Sequence, residues 1–240
     1  KIDRNLFERY CDIQAFATFD RFVECGRSGK NDLMSQELLH KVHSIYEVYH
    51  DIFVLDSKGT IVSAAVRNDL VGQSQADRDW FRECCRGNLV VTDLYFSKTV
   101  NNYTVTFAAP LRDANNTLCG VISTRFNCQF IYDILKAAIV GHESRVLLLN
   151  SKGLLIGNTS GEGLMENSYA SLSSFKTLDF KTTGFVTERL EQDGKQHAIG
   201  YARTPGYNSY KGKGWLVMVM RTVNDLKGES EGEVLPINGR

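Results

Sequence analysis

One segment of this chain occurs twice, and that duplication limits its possible folds more than any other feature. Ile52-Phe53-Val54-Leu55-Asp56-Ser57-Lys58-Gly59-Thr60-Ile61-Val62 returns as Val146-Leu147-Leu148-Leu149-Asn150-Ser151-Lys152-Gly153-Leu154-Leu155-Ile156, with Asn150 standing 94 positions after Asp56. Each copy reads as a strand, a tight Asx-Ser-Lys-Gly turn and a returning strand. The same offset carries Gly120 onto Gly214, Val121 onto Trp215, Phe107 onto Tyr201 and Phe126 onto Met220. One offset holding across separate blocks means that a whole domain was duplicated. Two tandem α+β units follow, each with an antiparallel, hairpin-rich sheet. Their join falls near Phe130 to Ser144, where Phe130 to Ile139 reads as a short helix.

A chain of 240 residues has room for two such cores. Lys+Arg 28 against Asp+Glu 28 gives a net charge of zero, and no basic run stands out, so nucleic acid and anionic membrane surfaces are poor partners. The longest strongly apolar runs, such as Trp215 to Met220, are too short to span a bilayer. A chain that opens on Lys1 reads as an excised fragment. Cys11, Cys25, Cys84, Cys85, Cys119 and Cys128 form no Cys-x-x-Cys pair and no zinc spacing, so they read as free, mostly buried thiols, which alone favours a reducing compartment.

Ile2 to Cys25 carries apolar residues at near-helical spacing, predicting one long amphipathic helix that stops at Gly26; a second runs from about Asn31-Asp32 to His50. His40, His43, Glu47 and His50 share one face of that second helix. Ligands strung along three turns cannot converge on one ion at a bond length of ~2 Å, so the row reads as a solvated polar face and no metal is expected.

The first copy carries a kit that the second lacks. Asp77-Arg78-Asp79-Trp80-Phe81 precedes strand-like blocks at Leu89 to Phe96, Tyr103 to Pro110 and Gly120 to Phe126. At the repeat offset Arg78 falls on Leu172, Trp80 on Ser174 and Arg125 on Val219. Alternation groups Arg125 with Val121 and Ser123, opposite Ile122, Thr124 and Phe126. A guanidinium offers a planar fork to carboxylate or phosphate, and an indole a flat apolar wall with one donor. This is the chemistry of holding a small molecule. Asp77 and Asp79 face opposite ways on an extended segment, and the chain lacks a nucleophile elbow, a zinc-protease helix, a P-loop and a dinucleotide fingerprint, so an enzyme is not expected. A spacer or protein-interaction domain is the remaining alternative.

Glu8-Arg9-Tyr10-Cys11-Asp12-Ile13-Gln14-Ala15-Phe16 is similar to the helix entry of chemoreceptor sensor domains, where glycine commonly stands in place of Cys11. Gly206-Tyr207-Asn208-Ser209-Tyr210-Lys211-Gly212-Lys213-Gly214-Trp215 is similar to their entry into the last strand. With the repeat, the chain resembles the double Cache (dCache) family, the extracytoplasmic sensor modules of bacterial chemoreceptors, sensor histidine kinases and some diguanylate cyclases. The resemblance implies an α+β fold with a long N-terminal helix and two tandem PAS-like modules, each on an antiparallel sheet. The N-terminal helices would span 1–45, a membrane-distal, ligand-binding module 46–127, a connecting helix 128–143, a membrane-proximal module 144–222, and a polar tail leading toward the membrane 223–240.

In amino-acid-binding members the pocket motif is Arg-x-Trp-Tyr preceded by a tyrosine, then Tyr-x-Asp, then a later aspartate. Arg78, Trp80 and Tyr95 match; Phe81 replaces one tyrosine and Gln73 the other, while Ser97 and Arg125 stand where the two aspartates would hold an ammonium group. The resemblance therefore implies that Arg78 and Arg125 grip a carboxylate within walls of Trp80, Phe81, Tyr95 and Phe107. Asp93 keeps an amine open. The implied whole is the periplasmic domain of an inner-membrane chemoreceptor that binds a small polar metabolite without a cofactor. It would form a homodimer through its N-terminal helix and reach a histidine kinase and coupling protein through a cytoplasmic region; a kinase or cyclase sensor is the alternative. The repeat is more specific than thiol number, so it overrides the reducing compartment.

Overall fold

The computed structural model describes residues 1–138, 144–176, 183–190 and 193–223. The chain divides into two compact units, one of Lys1–Phe130 with Tyr207–Tyr210, the other of Ile131–Gly206 with the residues from Lys211 on. The first unit opens with α1 (Ile2–Phe16), α2 (Asp20–Ser28) and α3 (Leu33–Tyr46). Its antiparallel sheet comprises β1 (Tyr49–Asp56), β2 (Ile61–Ala64), β3 (Val90–Val91), β4 (Tyr95–Ser97), β5 (Asn102–Arg112) and β6 (Leu118–Asn127), in the order β2-β1-β6-β5-β3 with β4 also paired to β5. A short helix, α4 (Asp79–Cys85), packs on one face. In sequence α5 (Gln129–Lys136) follows; Ile139 of the expected helix and residues 224–240 of the expected tail lie outside the described residues.

The second unit has β7 (Arg145–Leu149), β8 (Leu155–Asn158), α6 (Ser173–Lys176), β9 (Thr183–Arg189), β10 (Gln196–Arg203) and β11 (Leu216–Thr222), in the order β8-β7-β11-β10-β9. The fold is α+β, with helices preceding two antiparallel sheets. The duplication extends to atomic detail. Asp56 Oδ1 accepts from the N–H groups of Lys58 and Thr60, and Asn150 Oδ1 from those of Lys152 and Leu154. Gly59 and Gly153 take φ of 88° and 79°, and a Cβ on either would meet the Cα of Ala76 or Ala170 at 2.9 and 2.8 Å. Phe107 pairs with Thr124 as Tyr201 pairs with Met218.

The expected single long helix is two. Thr18 donates from Oγ1 to Ala15 O at 2.7 Å, and Phe19 turns extended (φ −77°, ψ 115°), its ring set between Phe16 and Phe22. A local threonine bond of this kind competes with the helix ladder. Gly26 does not end α2; it lies inside, where a Cβ would come 3.1 Å from Cys119 O and 3.3 Å from Leu55 O, and Gly29 (φ 63°) makes the left-handed cap instead. Helix α3 stops at Tyr46, with Glu47 left-handed, so His50 lies on β1 and the row of histidines is not one helical face. His43 Nε2 donates to Tyr49 O at 2.8 Å, while His40 stays exposed with Nδ1 3.3 Å from Ala65 O.

Helices α1 to α3 cover the sheet face that carries Ile122, Thr124 and Phe126. Gly120 lets α2 approach: a Cβ there would stand 2.1 Å from Leu55 O and 3.2 Å from the Cα of Gly26. The opposite face carries Phe53, Leu55, Ala108 and Val121, which bury Trp80, Phe81 and Cys84 of α4. All six cysteines are free, Cys11 being exposed, and burial pushes the Cys25 thiol up to about 11 and those of Cys84 and Cys128 to about 12.

Candidate functional site

The α4 face of the first sheet continues, beyond the packed core, into a cavity of about 420 Å³. Arg78 is the N-cap of α4, its backbone extended (φ −81°, ψ 131°), and its carbonyl accepts from Phe81 and Arg82. This cap turns Trp80 inward, 7% exposed, while the Arg78 side chain stays half exposed. The flanking carboxylates are both engaged: Asp79, itself part of the cavity lining, pairs with Arg82 at 2.6 Å, and Asp77 lies 3.7 Å from Arg78 Nε.

From the sheet side β6 contributes Arg125. In the ladder it sits between Asp51 on β1 and Thr106 on β5, so all three share the cavity face. The residue is 1% exposed, and its Cζ lies 5.0 Å from the Trp80 ring centroid and 5.2 Å from that of Phe53. Nη1 makes long contacts of 3.3 Å to Ser123 Oγ and Thr124 O, and Nε is buried without a partner. Among the described residues no carboxylate forms an ion pair with it. Asp51, its ladder neighbour, instead accepts three backbone N–H bonds, from Ile52, Val66 and Arg67 at 2.8 to 3.0 Å. Burial lowers the Arg125 pKa from its ordinary value, opposed by Tyr95 and Asp51 and assisted by the positive charge of Arg78; an arginine remains charged regardless. A buried cation, solvated by two ring faces and, among the described residues, by no anion, is energetically incomplete.

The segment from Thr92 to Thr99 closes the outer side. Tyr95 Oη and Thr106 Oγ1 share a hydrogen bond of 2.7 Å, and Ser97 Oγ bonds Thr99 Oγ1 at 2.7 Å. Of the residues singled out from sequence, Arg78, Trp80, Asp93, Tyr95, Ser97 and Arg125 line this one cavity. Two do not. Phe81 is 4% exposed in the core, edge-on to Trp80. Phe107 stands opposite Thr124 and packs against Phe126, on the helix-covered face, because its parity on β5 is opposite to that of Thr106. Sequence reasoning also missed Gln75, Asp79, Thr92, Leu94, Phe96, Lys98 and Thr99 as lining residues. Gln75 had a signal: it lies one residue beyond Ser74, whose bridge to Thr60 recurs as Leu154 to Ser168. In the second unit a hollow of about 500 Å³ is lined in part by Tyr169, Leu172 and Glu188, with no counterpart of the buried Arg125, since Val219 holds that position.

The sequence matches the family model dCache_1, described as a Cache domain, over residues 2–230. No curated protein sequence matches the chain. Several solved structures resemble it in fold. The extracellular domain of the putative histidine kinase rpHK1S-Z16 is 18% identical, with a TM-score of 0.72 over 94% of this chain and 90% of that one. The ligand-binding domain of the Pseudomonas aeruginosa PAO1 amino acid chemoreceptor PctB, in complex with L-Arg, is 17% identical, with a TM-score of 0.70 over 94% and 90%. The sensor domain of the V. cholerae histidine kinase DctB is 14% identical, with a TM-score of 0.68 over 92% and 91%.

Proposed function

Because the chain belongs to the Cache-domain family, we propose that it is the extracytoplasmic ligand-sensing part of a bacterial membrane receptor, and that the cavity of its first unit takes a small anionic metabolite with a carboxylate. The observation that carries this reading is Arg125, fully buried in a cavity wall with its Cζ over the Trp80 and Phe53 rings, an orphaned Nε and, among the described residues, no carboxylate paired to it. An anion that reaches Arg125 meets a guanidinium that burial leaves 1% exposed, where charge-assisted bonds are strong. A ligand ammonium finds that cation where amino-acid-binding members carry an aspartate, which disfavours free α-amino acids; among the described residues the wall carboxylates an amine would approach are Asp93 and Asp79, the latter paired with Arg82.

Binding rather than turnover is the role, with no cofactor and no metal. The ligand biases two packings of the first unit, by no more than its differential affinity for them, and the N-terminal helices carry the shift to a dimer mate in the full receptor. The opening helix favours a chemoreceptor, signalling to a histidine kinase through a coupling protein. Resemblance to histidine-kinase extracellular domains supports the same sensing role with a kinase output.

The test is a thermal-shift screen of the purified domain against organic acids, amino acids, amines and purines, repeated on Arg125→Met. A ligand at a hundredfold its Kd adds about 2.7 kcal/mol. An organic acid that stabilises the wild-type protein and not the variant is the expected result. Stabilisation by amines or amino acids alone overturns the anionic reading.

A further inference from the structure

The outer wall of the cavity ends in the turn between β4 and β5, and that turn is held from the far side of the sheet. Ser97 pairs with Asn102, so residues 98–101 form the turn, and Lys98 and Thr99 on it line the cavity. Because β4 pairs with β5 alone, the ladder secures this wall from one side only. In the strand order β6 and β1 separate β5 from β2, and beyond β2 the chain continues through Val66 and Arg67. Arg67 Nη1 donates to Thr99 O at 2.9 Å, a bond between two loops that the strand order sets apart.

Arg67 is fixed at both ends. Its Nε and Nη2 take the two oxygens of Asp69 at 2.7 and 2.6 Å, a fork that sets the guanidinium plane and leaves Nη1 to the turn. Its backbone N–H donates to Asp51 Oδ2 at 2.9 Å, beside the Val66 N–H on Oδ1 at 3.0 Å. Asp51 is fully buried and stands next to Arg125 in the ladder. The main chain of Arg67 is thus tied to the cavity floor and its side chain to the wall. With side chains 40% and 61% exposed, the Arg67–Asp69 pair itself adds little to stability, so what the arginine contributes is position.

We infer that Arg67 is a positioning residue for the binding cavity: acting from behind the wall, it pins the 98–101 turn to the floor through Asp51 and sets how often the outer wall swings open. This role belongs to the wall and not to what enters, so it holds for an anion or an amine alike.

Two measurements without ligand read the wall directly: amide hydrogen exchange of residues 95–102, and acrylamide quenching of Trp80, which lines the cavity and is 7% exposed. The variants are Arg67→Ala and Asp69→Asn, with Arg27→Ala as control, a half-exposed arginine that joins α2 to Asp113 after β5. Urea midpoints establish that each is folded. In Arg67→Ala the 95–102 amides are expected to exchange about tenfold or more faster, the worth of one hydrogen bond from a charged donor, with stronger quenching. Trp80→Phe on that background removes the extra quenching, because Trp215 is 1% exposed. Asp69→Asn, which frees the guanidinium plane, gives a smaller change of the same kind. Arg27→Ala leaves both readouts at wild-type values. Unchanged exchange and quenching in Arg67→Ala overturn the positioning role, as does an equal gain in Arg27→Ala, which marks general loosening. The anionic reading of the cavity survives either failure.

Discussion

Arg125→Met is expected to make the ligand-free protein more stable, the reverse of the usual result for a buried side chain. The guanidinium is 1% exposed, with no paired carboxylate among the described residues and an orphaned Nε. Holding a cation out of water costs on the order of 5 kcal/mol, and the unsatisfied donor about 1–3 more. The Trp80 and Phe53 faces return about 2 kcal/mol each. Methionine keeps the length, loses the charge and contributes about 2 kcal/mol of apolar burial, part of it already supplied by the arginine stem. The balance favours methionine by at least about 2 kcal/mol, or roughly 4–8 °C or more in Tm for a protein of this size. Calorimetric and urea unfolding of both proteins without ligand read the difference directly. A loss of more than about 1 kcal/mol would refute the reasoning, because Arg125 would then be a strut joining two rings and not an unmet charge awaiting an anion.

Gly120→Ala is expected to cost about 3 kcal/mol, since its Cβ would stand 2.1 Å from Leu55 O with Gly26 of α2 behind it; the urea midpoint falls with the slope unchanged, and an unaltered midpoint contradicts the close approach. Burial, with His43 adding to it, holds the His50 pKa below its ordinary 6.5. The folded state then keeps the ring neutral while the unfolded chain protonates it, so this contribution is present above about pH 6.5 and is lost as pH falls. His50→Gln should flatten the loss of stability between about pH 7 and 5, and an equally steep fall in the variant assigns it elsewhere.

The duplication made most of the fold legible, because a turn that needs an Asx oxygen and a left-handed glycine leaves the same letters in both copies. The helix break at Ala17–Phe19 left no such letters: no glycine or proline marks it, and Phe16, Phe19 and Phe22 continue an apolar row across it. Gly26 misled for the opposite reason, being a glycine required by neighbours in space, the carbonyls of Cys119 and Leu55, rather than by its own backbone angle. For the site, Arg125 was legible because a cation in an otherwise apolar strand is conspicuous and its copy is Val219. Phe107 was misassigned because strand parity fixes faces within one strand, whereas the face shared with Arg125 depends on cross-strand register. Thr92, Lys98 and Thr99 reach the cavity from a segment whose path follows from pairing with β5, which local sequence does not specify.

The two sides of the cavity are anchored very differently. Arg125 rises from β6, bonded on both flanks to β1 and β5, whereas Tyr95 and Ser97 ride on β4, which pairs with β5 alone. The floor is thus as firm as the fold itself, while the wall is a replaceable panel. Substitutions at the exposed Phe96 and Lys98 of that panel are expected to reshape the cavity at little cost to folding, whereas the buried Leu94 and Ser97 tie the panel to the rest of the unit.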